Sequence, residues 1–360
     1  MKTVLAILSA ALLMQTAAAQ DPVYDKNTDT SSPRKTVSLK KYGYNDPRLE
    51  KVTAIEVLPV QWDTTRLGFV QVGLANKKIE ARPATSHRHF LQDYINNQYG
   101  TQLKPGGAHL LWAVKDLRIN EKTFAMNERG YARLKADAYI SADGQQYTLI
   151  AAFDTIVMRN GMEVTSRHDE NIARVIHLLL KTSLDEGLPL LETTIASLPK
   201  EAVISSQLSA LRMPILEDQF YMEGVYMSYE EFKANKPSIT AFHAEKTKKE
   251  FSLYTLDDQN NKVPINNAWG FCTKAELYKI DNNNIVPLEK SGNGFIISKY
   301  LEDAQRRNKA IFMNAVFGGV TGAAIAAGAT QVYLVRSVPY ITKQQPEATA
   351  LDMLTGELTL

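Results

Sequence analysis

Three long strand-like segments in the first half of the chain constrain the fold most. They cover Ala108–Asn120, Tyr131–Ser141 and Gln146–Arg159, and each is rich in residues that favour strands. The last two are joined by Ala142-Asp143-Gly144, in which Asp-Gly supplies the left-handed conformations of a tight hairpin turn. The pattern therefore predicts an antiparallel sheet with Asp143-Gly144 exposed at a hairpin tip.

Two predicted helices accompany these strands. Ser86–Tyr99 has apolar residues on one face and is followed by Gly100, a residue type that commonly ends helices. Glu170–Thr182 carries an apolar stripe at helical spacing, with Ser166 and Asp169 as its predicted cap. Shorter strand-like runs precede them at Val52–Leu58 and Gly68–Leu74. This order of elements predicts an α+β domain, an antiparallel sheet with two helices on one face.

The second half of the chain has the pattern of a smaller antiparallel β domain. Strand-like runs at Phe251–Leu256, Trp269–Ile280 and Gly294–Ser298 are bordered by turns rich in Asp, Asn and Gly. Ser228 and Glu231 form a capping box that predicts a short helix at Tyr229–Ala234. The predicted organisation is a signal peptide at 1–19, a polar linker at 20–50, an α+β sandwich domain at 51–184, a connector at 185–215, a small β domain at 216–300, an apolar Gly/Ala-rich helix at 301–330 and a terminal strand pair at 331–360.

The first nineteen residues have the pattern of a secretory signal peptide. Lys2 precedes the apolar run Val4–Met14, and Ala17 and Ala19 are the small residues that a signal peptidase recognises, so cleavage is predicted before Gln20. The apolar run is too short to remain as a membrane-spanning helix, and the alternatives are an uncleaved anchor or a buried helix. We therefore expect an exported protein, in the periplasm or associated with the outer membrane.

Charge and motif content exclude several classes of protein. The 41 Lys and Arg residues nearly balance the 39 Asp and Glu residues, so nucleic acid is not a predicted partner. Cys272 is the sole cysteine, which excludes an intrachain disulfide and a CxxC site, and its apolar neighbours indicate a buried thiol. No G-x-S-x-G, H-E-x-x-H or G-x-x-x-x-G-K string occurs. No catalytic residue and no cofactor is predicted.

The histidines provide only a weak candidate for a metal site. His87 and His89 are two residues apart, a spacing that shares a face on a strand but diverges on the helix we expect here. A third ligand would come from elsewhere, with His168 or Asp169 as candidates. The simpler interpretation is a pair of solvated histidines at a helix start, so no metal is predicted.

The segment Ala310–Val335 contains no charged residue. Its small residues Gly318, Gly319, Gly322, Ala326 and Gly328 include the small-xxx-small spacing of closely packed helices. One interpretation is a single transmembrane helix at 311–335, for which about 20 residues suffice. The other is a helix at Leu301–Gly328 whose Gly/Ala face packs on the protein itself, a partner or a membrane surface. The flanking Arg306, Arg307 and Lys309 would lie on the exported side, where positive charge is sparse, and so oppose a span.

Two resemblances complete the sequence evidence. Gly224–Ser238, Trp269-Gly270-Phe271 and Leu351–Glu357 resemble a signature of uncharacterised exported proteins of the Bacteroidota, across roughly residues 214–360. In its order of elements, the first half is similar to auxiliary proteins of envelope ABC-type transport systems, which are commonly lipid-anchored, although this chain lacks the N-terminal cysteine. The resemblances imply a cell-envelope address and no catalytic residue.

Together these features predict a non-enzymatic envelope protein, a binding, assembly or transport-accessory factor. Its expected partner is an envelope protein or a second copy of itself, with membrane contact through 310–335 as a further candidate. Two alternatives stay open: a membrane-associated structural protein acting through 310–335, and an envelope hydrolase whose site is not recognised. An exposed apolar groove or sheet edge would favour partner binding, whereas a convergent polar cleft would favour an enzyme.

Overall fold

The computed structural model describes a mixed α+β fold over most of the chain. The described residues are 33–73, 76–123, 127–193, 196–246, 251–282, 284–317, 331–336, 338, 341 and 345–360. The predicted cleavage residues Ala17, Ala19 and Gln20 lie outside these ranges, as do the small residues Gly318, Gly319, Gly322, Ala326 and Gly328. Residues 33–360 form one compact unit, and the predicted domain boundaries within it stay predictions.

The first sheet is mixed. Its strands are β1 (Arg34–Val37), β2 (Val52–Pro59), β3 (Gly68–Val72), β4 (Lys77–Pro83), β5 (Ala108–Thr123), β6 (Glu128–Ser141), β7 (Gln146–Gly161) and β8 (Leu198–Pro199). They lie in the order β1-β4-β3-β5-β6-β7-β8, and β2 also pairs with β5. The antiparallel prediction holds for β5, β6 and β7 but is wrong for the β1–β4, β2–β5 and β3–β5 pairs, which are parallel. Between β2 and β5 the chain makes a long crossover that contains a helix, and such a crossover permits parallel pairing.

The hairpin between β6 and β7 is confirmed. Its tip is the predicted turn, in which Asp143 is exposed and Gly144 has φ +77°. The Asp143 carboxylate accepts hydrogen bonds from the amides of Gln145 and Gln146, at 2.8 and 3.1 Å. This turn sets the register of β6 against β7.

Two helices cover one face of this sheet, as predicted. They are α1 (His87–Tyr99) and α2 (His168–Leu190), and their apolar faces join Trp112, Leu134 and neighbouring strand residues in one core. The predicted cap of α2 is wrong, because Ser166 lies in a 3₁₀ turn at Thr165–Arg167 and makes no capping hydrogen bond. The Asp169 carboxylate accepts from the amide of Glu170 instead, at 2.8 Å.

The N-terminal part of this unit corrects one prediction. Residues 33–50, expected as part of a polar linker, belong to the fold, because β1 pairs with β4 and Leu49 is fully buried. The side chain of Gln98 accepts from the amide of Tyr42 at 2.7 Å and donates to the carbonyls of Tyr42 and Tyr44. A buried leucine and an amide side chain that binds the backbone thus hold a segment whose composition is that of a linker.

The rest of the chain forms further helices and two smaller sheets. The helices are α3 (Lys200–Ser209), α4 (Pro214–Glu217), α5 (Tyr229–Lys233) and α6 (Tyr300–Phe317). The strands are β9 (Gly224–Tyr226), β10 (His243–Lys246), β11 (Phe251–Leu256), β12 (Lys262–Pro264), β13 (Gly270–Thr273), β14 (Glu276–Asp281), β15 (Asn284–Ser291), β16 (Gly294–Ile297), β17 (Ala350–Leu351) and β18 (Leu358–Thr359). One sheet has the order β18-β17-β16-β15-β14-β13-β9 and the other β10-β11-β12, and both are antiparallel.

The predicted single strand Trp269–Ile280 is instead the hairpin of β13 and β14. Its turn is Lys274-Ala275, where both residues have positive φ, +50° and +60°. Neither residue type favours that conformation, so the sequence carries no turn signal at this point. Cys272 on β13 is buried, as predicted, and burial raises the pKa of its thiol to about 11.

Helix α5 confirms the predicted N-cap. The Ser228 hydroxyl accepts from the amide of Glu231 at 3.2 Å, and the Glu231 carboxylate accepts from the amide of Met227 at 2.7 Å. After the helix, Asn235 has φ +51°, and its side-chain oxygen accepts from the amide of Met222 and the hydroxyl of Tyr226. The segment that carries the family resemblance is therefore a locally capped helix with its own buried hydrogen bonds.

The apolar segment near the C-terminus is described only in part. Helix α6 covers the first part of the predicted helix Leu301–Gly328, and residues 318–330 lie outside the described ranges. The Arg307 guanidinium, on the eighth residue of α6, pairs with Glu347 at 3.0 Å. Within the residues that the structure describes, no helix combines the length and the apolarity needed to cross a membrane.

Candidate binding surface at the edge of the first sheet

Part of the face of the first sheet opposite α1 and α2 is polar and yet buried. On β6, Ala132, Leu134 and Ala136 belong to the core beneath the helices, while Arg133 and Lys135 alternate with them. Such an alternation is typical of a strand with one solvated face. Here the C-terminal strands cover that face, so the charged side chains must find partners within the protein.

These buried charges pair with one another. Lys135 forms an ion pair with Asp352, and the Arg133 guanidinium donates to Asp154 at 2.8 Å. The remaining pairs are Arg118 with Asp116 at 2.9 Å and Asp63 at 3.6 Å, and Arg66 with Asp63 at 2.9 Å and Glu80 at 3.3 Å. We call these nine residues the buried charge network.

The buried charge network surrounds a cavity that is too small for a substrate. Trp62, Asp63, Asp116, Arg118 and Asp352 line it, and its volume is about 10 Å³. That volume corresponds to about one water-sized sphere. The polar side chains that converge here therefore form a closed structural network rather than an open cleft.

The histidines do not converge on a metal. His87 is buried and its Nδ1 lies 2.6 Å from Gln61 Oε1, whereas His89 is exposed beside the Ser86 hydroxyl. His168 is buried with its Nε2 2.7 Å from Glu121 Oε1. Among the described residues, no group of three His, Cys, Asp or Glu side chains could hold a metal ion. The expectation of a solvated pair is wrong for His87, because the polar loop before β3 folds over the start of α1.

His87 gives a testable pH dependence. Burial lowers the pKa of its imidazole from 6.5 to about 4. Because the folded state resists protonation, the protein should lose stability as pH falls from about 6.5 to about 4, by about 3 kcal/mol. The free energy of unfolding, measured with urea, should depend less on pH over this window in His87→Gln than in the wild type. In His89→Gln its pH dependence should equal that of the wild type. An equal pH dependence in the wild type and His87→Gln would contradict this assignment.

The outer edge of β7 is open for most of its length. Strand β8 pairs only with Gln146 and Tyr147, so no other strand among the described residues lies beside 148–161 on that side. The open part contains no proline and no lysine, and its Asp154 is already paired with Arg133. Edges are usually protected by charges, prolines or short length, and this edge has little of that protection.

An apolar groove of about 480 Å³ follows this open edge. Phe153 and Thr155–Met158 of β7 form one wall, and Arg174, Leu178 and Thr182 of α2 form the other, with Ile341 at the rim. Ile156 and Val157 belong to the cores on opposite faces of the sheet, so the groove lies along the strand edge itself. Arg174 is exposed and has no ion pair in the part of the chain that the structure describes. We call this set of residues the edge groove.

A second open cleft, of about 720 Å³, lies at the C-terminal end of α2. Its walls combine Leu184 and Leu188 with charged residues such as Arg48 and Asp185, which pair with each other. This cleft has no open strand edge, and its Arg48 and Asp185 are already paired with each other. The edge groove is therefore the stronger candidate for a binding surface.

Comparisons with known proteins do not indicate a function for this chain. Neither a scan against protein-family models nor a search of curated proteins finds a match to this chain. The elements of the edge groove, β7 and α2, were predicted from the sequence, but the groove was not. One sequence feature could have indicated the groove. The run Thr155–Met158, between Asp154 and Arg159, has none of the charged residues or prolines that usually protect an edge strand.

Proposed function

We propose that this chain is an exported cell-envelope protein that works without catalysis, as a binding, assembly or transport-accessory factor that holds a polypeptide. The open edge of β7 with its apolar groove carries the proposal. The small cavity of the buried charge network supports it, because the polar side chains that converge there leave room for about one water molecule and not for a substrate. The signal-peptide pattern and the resemblance to exported Bacteroidota proteins support the envelope address. We retain a division into an α+β domain and a β domain at 216–300 as part of this proposal, with the first domain, predicted at 51–184, extended to include residues 33–50.

The edge groove suits an extended polypeptide. Alternate residues of an edge strand point their N–H and C=O groups outward, and an added strand satisfies them by continuing the sheet. The six residues Phe153–Met158 extend over about 20 Å, which matches a strand of ordinary length. The apolar side chains of β7 and α2 would then contact alternate side chains of the added strand and provide selectivity.

Photo-cross-linking in the intact envelope tests this proposal. A photoreactive residue at Leu178 should form a covalent adduct with a polypeptide, and the variant Thr155→Lys should abolish the adduct by placing a charge on the edge. The control variant Thr255→Lys changes the central strand of the β10-β11-β12 sheet and should leave the adduct intact. Loss of the adduct in both lysine variants, or its absence from the wild type, would contradict binding at the edge groove.

Export has its own test. N-terminal sequencing of the protein recovered from native envelopes should begin at Gln20, because Ala17 and Ala19 match the signal-peptidase pattern. Recovery of Met1 would contradict cleavage at this site.

A further inference from the structure

We infer that the cavity inside the buried charge network is the binding site of one structural water molecule. The water accepts a hydrogen bond from the indole N–H of Trp62 and donates to carboxylates that line the cavity. This site is independent of the edge groove and of the function proposed for it. Three properties identify the ligand as water: the volume of the cavity, an unpaired buried donor in its wall, and the mixture of charges around it.

The volume of the cavity fits one water molecule. The cavity measures about 10 Å³, and a space of about 10–15 Å³ is enough for a single water. A ligand with several non-hydrogen atoms does not fit. Internal cavities that stay empty are apolar, whereas buried waters occupy polar ones. The polar side chains that line this cavity are Asp63, Asp116, Arg118, Ser291, Asp352 and Thr359.

The wall of the cavity includes a hydrogen-bond donor that lacks a protein partner. Trp62 is 6% exposed, and its Nε1 is buried with no hydrogen-bond partner among the described residues. Leaving a buried N–H unpaired is unfavourable, so folded proteins nearly always pair it with a protein group or an ordered water. Trp112 shows the usual arrangement, because its Nε1 donates to the Ser183 hydroxyl at 3.0 Å. Trp62 needs an acceptor that the surrounding chain does not supply.

The charges around the cavity favour a neutral ligand. Three carboxylates line it against one guanidinium, that of Arg118, which disfavours an anion. A cation would meet the Trp62 N–H, which can only donate, and no group of three His, Cys, Asp or Glu side chains in the described ranges could hold a metal ion. Water both accepts and donates. The Asp116 carboxylate accepts from Arg118 through Oδ1 at 2.9 Å, and its Oδ2 accepts from the water.

The water site lies where the two larger sheets meet. Asp116 is on β5 of the first sheet, Gly294 is on β16 of the second, and Trp62 lies between β2 and β3. A water bonded to Trp62 and Asp116 therefore fills the contact between the sheets and satisfies polar groups that the fold buries there.

Gly294→Ala tests for the water in solution, because its methyl group would occupy the cavity. A Cβ on Gly294 would lie 3.7 Å from Trp62 Cβ and 3.8 Å from Met353 Cγ, and all three residues line the cavity. These are ordinary contact distances, so the substitution adds no clash. The methyl group should displace the water and leave the indole N–H unpaired, which lowers the urea midpoint of unfolding.

Gly43→Ala is the matched control, because no atom lies within 4 Å of the position of its Cβ. It measures the effect that alanine has through the unfolded chain. The urea midpoint of Gly294→Ala should lie below that of Gly43→Ala. Filling a cavity that holds no water would stabilise the protein instead. A midpoint of Gly294→Ala at or above that of the control would therefore overturn the inference.

High-resolution crystal structures of the wild type and Gly294→Ala locate the water directly. The wild type should show one ordered water within hydrogen-bond distance of Trp62 Nε1 and of a carboxylate oxygen that lines the cavity. Gly294→Ala should keep the fold and lack this water. A wild-type cavity without an ordered water, or an indole N–H of Trp62 bonded to a protein atom, would overturn the inference.

Discussion

The substitution Gly68→Ala is expected to destabilise the protein by at least about 3 kcal/mol, enough to prevent folding of a marginally stable chain. Gly68 has φ +126°, a conformation that side chains rarely adopt, and a Cβ there would lie 2.0 Å from the Ile119 carbonyl oxygen on β5. That oxygen belongs to the backbone of the adjacent strand, so it cannot move aside without disrupting the β3–β5 pairing. Urea denaturation measures the loss.

Gly43→Ala is the matched control for this substitution. No atom lies within 4 Å of the position of its Cβ, and the residue has no positive φ. We expect its effect on stability to be smaller than about 1 kcal/mol in either direction. Comparable losses in the two variants would show that Gly68 is not held in the strained conformation.

Asp352→Asn is expected to lower stability by about 3 kcal/mol. Lys135 and Asp352 are each 7% exposed, and removing one charge of a buried pair leaves the other without compensation. Asp154 lies 3.5 Å from Lys135 but is partly exposed, so it compensates only in part. The pair of the exposed Glu230 with the partly buried Lys233 provides the control, and Glu230→Gln should cost less than about 1 kcal/mol. Equal losses would contradict the role assigned to the buried charge network.

The same pair also contributes to acid stability. Burial alone would raise the pKa of Asp352, but the Lys135 ammonium and hydrogen bonds hold it below its ordinary value of 3.8. A lowered folded pKa stabilises the protein above the unfolded value, and this contribution disappears as pH falls through the folded value. Asp352→Asn should therefore show a shallower stability loss below about pH 4 than the wild type does. An unchanged slope would assign the acid sensitivity to other carboxylates.

Local signals in the sequence predicted much of the first sheet. The Asp143-Gly144 turn fixed the hairpin of β6 and β7, and helical spacing identified α1 and α2. These features depend on residues close in the sequence, whose conformational preferences agree with the fold. The Ser228 cap of α5 was predictable for the same reason.

Other features depend on contacts that the local pattern does not encode. The Lys274-Ala275 turn has positive φ without glycine or asparagine, so tertiary pairing of β13 with β14 must impose it. The alternation of Arg133 and Lys135 with apolar residues is typical of a solvated face, but the C-terminal strands bury this face and supply Asp352 as a partner. A parallel strand order likewise follows from the path of the crossover rather than from composition.

The candidate site was predictable in its parts but not as a whole. The sequence predicted β7 and α2, and we expected that an exposed apolar groove or sheet edge would indicate partner binding. It did not show that β7 lies beside a two-residue strand, β8, because strand neighbours are set by the complete topology. The histidine pair was predicted to diverge and does so, although His87 is buried by a loop whose position the sequence does not reveal.

Residue-resolved amide hydrogen exchange along 148–161 is the most direct test that the edge of β7 is free to bind a polypeptide. In dilute purified protein we expect alternate amides to exchange slowly, because they bond to β6, while the intervening amides exchange rapidly. The rapid amides should become protected when a polypeptide binds at the edge groove. Uniform protection along 148–161 in the dilute protein would show that the edge is already covered, and it would contradict binding at the edge groove.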